Sequence, residues 1–412
     1  MVHWLPFLLL LMMTSPLNAS VSTSVLEETL YFDFQKVIHS RDVQKQKSIN
    51  GFSAFEQSLF VDALQDMLEE GSVEARESLK VINPLHYNLT ESLRLGILKI
   101  KYGRADFLDA TLVNQLLLAL RSEKVDIKLI YILAAYEEEL LGAGHDDLIA
   151  LARLHKNYND IALDQDRKVE VADDVVADLF YRSPDVASYM NGEYVKSVKI
   201  FMFCRDNRLY PCLMVMRDVH GQEVRNPDGS LWNHSALASS ARGIPSYYRN
   251  GNTPAGILTI DSVMPAADQQ VSFGKFRRLI LNFVPKSRSE SLMKSLLPAS
   301  SVEDDWWRAS MVARDAGRNL LRIHGTGKIN TDPSTPYFPF MRTSGCIAQK
   351  ENTYEGVTYQ DQRELLDDVM LAMDMEPEFN NEPKIKGILY LMDLDDKSAP
   401  VTLEDLASRG ID

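Results

Sequence analysis

The spacing of apolar residues changes once along this chain, near residue 190. Between Ser22 and Leu179 apolar positions recur every three to four residues. Ser53-Ala54-Phe55-Glu56 is a capping box, in which the Ser and Glu side chains each serve a backbone N–H that the first helical turn leaves open. Behind it Phe55, Leu59, Ala63, Leu64, Met67 and Leu68 share one helical face, and Glu69-Glu70-Gly71 marks a stop. The same period predicts helices over 90–102, 106–121, 126–141 and 146–157. Their short links favour antiparallel neighbours, as in a bundle or a short solenoid of helix hairpins. No clean internal repeat accompanies them.

Ser183-Pro184-Asp185 and Asn191-Gly192 interrupt this pattern, and apolar runs of strand length follow. Strands are predicted at 198–203, 213–216, 257–260, 278–283, 320–323 and 386–392. A polar stretch over 217–240 contains Asn226-Pro227-Asp228-Gly229, which reads as a turn. A short helix over 303–313 carries Trp306 and Trp307, and an amphipathic helix covers 360–375. The expected fold class is therefore α+β and multidomain. An all-α domain over 20–185 precedes a mainly-β domain over 192–412. Residues 4–13 form an apolar run too short to span a bilayer, followed by Pro16 and the cleavage-like Leu17-Asn18-Ala19. Residues 1–19 thus read as a secretory signal. No later stretch is long and apolar enough for a transmembrane helix, so a mature chain with no membrane span is expected in an exported compartment.

A net charge of −14 over 412 residues argues against nucleic acid and against an electrostatic hold on anionic lipid as partners. His39, His86, His145 and His155 stand singly, with no metal-ligand spacing, and neither metal nor cofactor is expected. The cysteines are Cys204, Cys212 and Cys346. The first two flank a hairpin-like turn and are either a disulfide or two unpaired thiols. In both cases Cys346 is left over.

Cys346 lies in the stretch 321–349, LRIHGTGKINTDPSTPYFPFMRTSGCIAQ, which also holds His324. A cysteine nucleophile needs a base to take its proton and backbone N–H groups aimed at the oxygen that becomes negative. His324 fits the base and Cys346 the nucleophile. The N–H groups of Gly345 and Cys346 suit the oxyanion, and Gly325 allows close backbone approach. Such a Cys346 is expected to alkylate faster at neutral pH than a denatured-state thiol. Tyr337, Phe338 and Phe340 on the intervening loop either wall the site or pack into their own domain. Arg322, alternating with Ile323, either faces the cleft or is a solvated edge charge. One of Trp306 and Trp307 is expected to anchor the core and the other to line the cleft.

The stretch resembles the signature of the L,D-transpeptidase (YkuD-type) family. Ile323-His324-Gly325-Thr326 is similar to its strand ending in His-Gly-Thr, and Thr343-Ser344-Gly345-Cys346-Ile347 to its Ser/Thr-His-Gly-Cys segment. Upstream, residues 251–260, GNTPAGILTI, look like its G-x-T-P-x-G-x-F-x-I segment. Ser344 stands where the family has His, and Ala348 where it has Arg or Asn; Arg342 is the nearby cation. The resemblance implies a two-sheet catalytic fold and a backbone carbonyl at Gly325 that orients His324. It implies a substrate cleft around Ser344, Arg342, Thr343, Arg322 and Tyr337. The implied substrate is the stem peptide of peptidoglycan, in the periplasm or cell wall. The implied reaction is acyl transfer through a Cys thioester, with L,D-carboxypeptidase action or wall binding without efficient catalysis as alternatives. The resemblance says nothing of the helical region, for which a protein partner is expected.

Overall fold

The computed structural model describes residues 171–184, 197–243, 246, 250–265, 273–284, 289–304, 306–315 and 318–412. Nearer the N-terminus it describes residues 60, 61, 63, 64, 67, 68, 73–81, 97 and 98. The chain falls into two compact units, Met1–Asp146 and Asp147–Asp412. In the first, residues 60–68 are helical where described, with Phe60, Ala63, Leu64 and Met67 buried, and α1 follows at Val73–Val81. The capping box at 53–56, the helices expected over 90–157 (apart from Ile97 and Leu98) and the signal segment lie outside the described residues.

The second unit is built on one eight-stranded sheet in the order β3-β2-β1-β10-β4-β5-β6-β7. Its strands are β1 (Val198–Arg205), β2 (Cys212–Arg217), β3 (Asn233–Ala236), β4 (Gly256–Val263), β5 (Leu279–Phe283), β6 (Leu321–Gly325), β7 (Ile347–Gln349) and β10 (Lys386–Asp395). A separate hairpin pairs β8 (Glu351–Tyr354) with β9 (Val357–Gln360). Neighbours pair antiparallel except β1 with β10 and β6 with β7. The disulfide Cys204–Cys212 joins the first hairpin.

This arrangement corrects the expected fold class. In place of two sheets packed face to face, the two edges of one sheet approach each other. Leu237, just past β3, exchanges both backbone hydrogen bonds with Ala348 of β7, at 3.1 and 2.8 Å. The sheet is therefore nearly closed and barrel-like, and the edge groups that would otherwise need covering are partly satisfied by each other. Nor do the described residues form an all-α N-terminal domain; they are mostly sheet with few helices.

Residues on the two faces of the sheet enter two cores. Val198, Ile200, Met202 and Cys204 of β1 join Leu258, Ile260, Leu281, Ile323 and Ile347, and meet Leu365, Leu366, Val369 and Met370 of α6 (Asp361–Ala372). The alternate residues Phe201 and Phe203 join Ile388, Tyr390 and Met392. They meet Val176, Leu179 and Phe180 of α2 (Asp173–Arg182), together with Trp306 and Trp307. Both faces of β1 are thus buried, which is why its centre, Ile200 to Cys204, reads as an apolar run. Three helices complete this side: α3 (Ser289–Ser295), α4 (Ala299–Val302) and α5 (Arg308–Asp315), with α7 (Leu403–Ala407) near the C-terminus. Trp307 is fully buried and donates Nε1–H to Ser301 O, so both tryptophans belong to the core and neither lines a cleft. Among the described residues no helix is long and apolar enough to cross a membrane.

Candidate active site

Strand β6 brings in His324 and strand β7 follows directly on Cys346. The two strands run parallel, with Ile323 opposite Ile347 and His324 opposite Ala348. Continued by one pair, this register sets Cys346 against Arg322, two positions before the His324 pair. Two positions along a strand span about 6.6 Å and adjacent strands lie about 4.8 Å apart. Side chains two apart share a face of the sheet, so this register sets the His324 and Cys346 positions diagonally on one face, one strand and two residues apart.

His324 is 2 % exposed. Its Nδ1 lies 2.6 Å from the carbonyl oxygen of Gly325. A carbonyl only accepts, so Nδ1 donates there and Nε2 is the basic nitrogen of the neutral ring. The ring of Phe273 meets the imidazole edge-on at 5.2 Å, and the Arg278 guanidinium lies 4.3 Å from the centre of the Phe273 ring. Gly325 has no room for a side chain: a Cβ there would lie 2.0 Å from Glu351 Oε1. Glu351 is 1 % exposed and accepts a hydrogen bond from Lys275 N at 2.6 Å. Its other carboxyl oxygen has no hydrogen-bond partner, and burial raises its pKa. The carboxyl thus packs the Phe273–Phe276 loop against the strand that carries His324.

Cys346 is held from its N-terminal side. Gly345 adopts φ +97°. Its carbonyl accepts from Thr253 Oγ1 at 3.1 Å and from Arg318 Nη2 at 3.0 Å. Arg318 Nη2 also donates to Gly251 O at 2.7 Å, and Nη1 donates to the carbonyls of Ser246 and Asn252. Thr343 Oγ1 donates to Cys346 O at 2.6 Å and accepts from Gly345 N at 3.2 Å, closing the turn from within. The Gly345 N–H, expected to face an oxyanion, is thereby engaged with Thr343. In a trans peptide the N–H lies opposite the preceding C=O. Pinning Gly345 O therefore directs the Cys346 N–H away from the clamp, and this is the donor the geometry leaves for an oxyanion.

The remaining expected residues divide. Arg322 is half-buried beside the thiol, with Nη1 on Leu321 O at 2.6 Å. Ser344 is exposed beside Cys346. Arg342 is drawn elsewhere: its Nε donates to Ser240 O at 3.1 Å and its guanidinium lies 5.7 Å from the Tyr337 ring centre. Tyr337 packs with Leu237, Phe340 and Ala348 where the sheet closes, so the loop aromatics serve their own domain. The cations that act on Cys346 are Arg318, Arg322 and Arg278. Thr253, Arg318 and Glu351 are the residues that sequence reasoning missed. Thr253 lies in the 251–260 segment that resembles the family's but was given no role of its own there, and nothing in local spacing marked the other two. Among the described residues no group of three or more His, Cys, Asp or Glu side chains is placed to hold a metal.

Cys346 reaches the surface only partly. Burial pushes its thiol above the ordinary range, and this outweighs the lowering by the Arg322 backbone N–H and the three arginines. That direction runs against fast alkylation at neutral pH. The thiolate form grows in only above the raised pKa, so the rate of iodoacetamide alkylation should climb with pH to a midpoint above about 8.5, the value of a free thiol. A midpoint below that of the denatured chain would show instead a preformed thiolate–imidazolium pair. No protein-family model, curated protein or solved structure matches this chain.

Proposed function

We propose that this chain is a cysteine acyltransferase acting on peptidoglycan stem peptides, in the manner of an L,D-transpeptidase. The observation that carries the reading is the parallel β6–β7 pair. Its register, continued by one pair, supports the reading by setting Cys346 one strand over and two residues along from a buried His324 whose Nδ1 donates to Gly325 O. The thiol, held protonated by burial, gives its proton to His324 Nε2 as Sγ attacks an amide carbonyl, and the oxygen of the tetrahedral adduct accepts from the Cys346 N–H. The adduct collapses to a thioester when the leaving amine takes the proton from His324. An acceptor amine then attacks the thioester, His324 takes the amine's proton, and Sγ leaves with it. Water in the acceptor's place gives hydrolysis. The substrate class follows from the resemblance of residues 251–260 and 323–347 to the family, and it requires export, which a signal at residues 1–19 supplies.

The test is mass spectrometry of disaccharide-tetrapeptide incubated with the protein and with Cys346→Ala. A cross-linked dimer formed only by the unmodified protein is the expected result. Loss of the terminal residue without cross-linking would assign a carboxypeptidase. No product from either protein would overturn the reading and leave a wall-binding protein.

A further inference from the structure

Arg318 is 4 % exposed, and among the described residues it donates four hydrogen bonds, all to neutral backbone carbonyls. None of these acceptors carries a countercharge, yet a buried guanidinium without one is costly to desolvate. Burial pulls its pKa down to about 9, so it is a cation at neutral pH. The group that favours its charge is Cys346; Arg208, itself bonded to Asp393, opposes it. A tether alone did not need a charge here, because Thr253 Oγ1 already bonds the same Gly345 carbonyl. A Cβ at Gly345 would lie 2.6 Å from Arg318 Nη2, so the guanidinium sits directly against the peptide that leads into the nucleophile.

We propose that Arg318 is a positioning residue: its fork ties the Gly345 carbonyl to those of Ser246, Gly251 and Asn252 so that the Cys346 N–H faces the reacting carbonyl, and its charge offsets the negative sulfur formed when Cys346 is deprotonated. The pinning half rests on the acyl-transfer reading; the charge half stands on the thiol alone. The two halves separate because guanidinium geometry and guanidinium charge can be removed one at a time. Lysine keeps the charge but reaches fewer carbonyls, and glutamine keeps an amide donor without the charge. The charges of Arg322 and Arg278 also favour the thiolate and are unchanged in both variants.

Two readouts decide it, each on protein whose circular dichroism matches the unmodified chain. The first is the pH dependence of iodoacetamide alkylation of Cys346, followed by intact mass. Arg318→Gln should move the midpoint up by about one unit, a tenfold slower reaction at pH 7, while Arg318→Lys leaves it in place. The second is product formation from disaccharide-tetrapeptide. Both variants should lower kcat at least about tenfold with KM little changed, because a single oxyanion donor contributes about 10²–10³ in kcat and misaiming it forfeits part of that. An unmoved midpoint in Arg318→Gln overturns the charge role, and unmodified turnover in Arg318→Lys overturns the pinning role. If both variants unfold, Thr253→Val decides. It removes the other donor to Gly345 O and should slow product formation with the midpoint unmoved; unchanged turnover or a displaced midpoint overturns the proposal. Failure of the unmodified protein to form product would sink the acyl-transfer reading, and the alkylation midpoints would still judge the charge.

Discussion

Cys346→Ser is expected to lower product formation from disaccharide-tetrapeptide by about 10⁴-fold or more while the protein melts within a few degrees of the unmodified chain. The fold should tolerate the change. The side chain shrinks slightly, and a hydroxyl can make the contact that the thiol now makes with Leu320 O at 3.8 Å. The chemistry should not. A serine hydroxyl is far less acidic than a thiol, and the base available to it is a neutral imidazole, too weak to take its proton readily. The site was built for a thiol already harder to ionise than usual, with three arginines needed to limit the cost of the anion. Nucleophile and base act as a unit, so His324→Ala should cost a similar factor, and the double variant little more than either single one. A Cys346→Ser protein that keeps turnover within tenfold would remove Cys346 from the mechanism and move the nucleophile elsewhere.

What was legible in advance follows burial. Strands β1, β2, β4 and β10 are covered on both faces over most of their length, so they appear in the sequence as apolar runs. Strand β3, with the sequence Asn233-His234-Ser235-Ala236, is mostly half-exposed and polar, and it does not stand out from the polar stretch 217–240 around it. With β3 and the short β7 missing from the reading, the closure through Leu237 and Ala348 could not be foreseen, and a two-sheet fold was expected instead. Helical spacing identified the region of α2, but periodicity does not say what a helix packs on. Here Phe180 meets Phe201 of β1 at a ring distance of 5.1 Å. The site divides in the same way. His324 and Cys346 carry their chemistry in side chains beside glycines and stand out locally. Arg318 and Glu351 work through backbone contacts to residues 27 or more positions away, a relation that only the folded chain displays.

Gly345→Ala tests how tightly the nucleophile is held, and its outcome can be read against Gly356→Ala. Both glycines have positive φ, +97° and +80°, so alanine at either position meets the left-handed penalty of about 1–2 kcal/mol. They differ in their surroundings. A Cβ at Gly356 has nothing within 4 Å, whereas at Gly345 it would lie 2.2 Å from Gly251 O and 2.6 Å from Arg318 Nη2. Neither neighbour can yield cheaply, since one is backbone and the other is fixed by four hydrogen bonds in the interior. Gly356→Ala should therefore lose only the backbone penalty in denaturant unfolding and keep full turnover. Gly345→Ala should lose more stability. Its folded fraction should turn over about 10²–10³-fold more slowly, the size of effect that follows loss of one oxyanion donor. The alkylation midpoint of Cys346 should shift as well, because the Arg318 guanidinium must retreat from the thiol to admit the methyl group. Equal stability losses at the two glycines, with turnover intact in both, would mean that the Gly345 peptide is free to relax and that the clamp does not hold it.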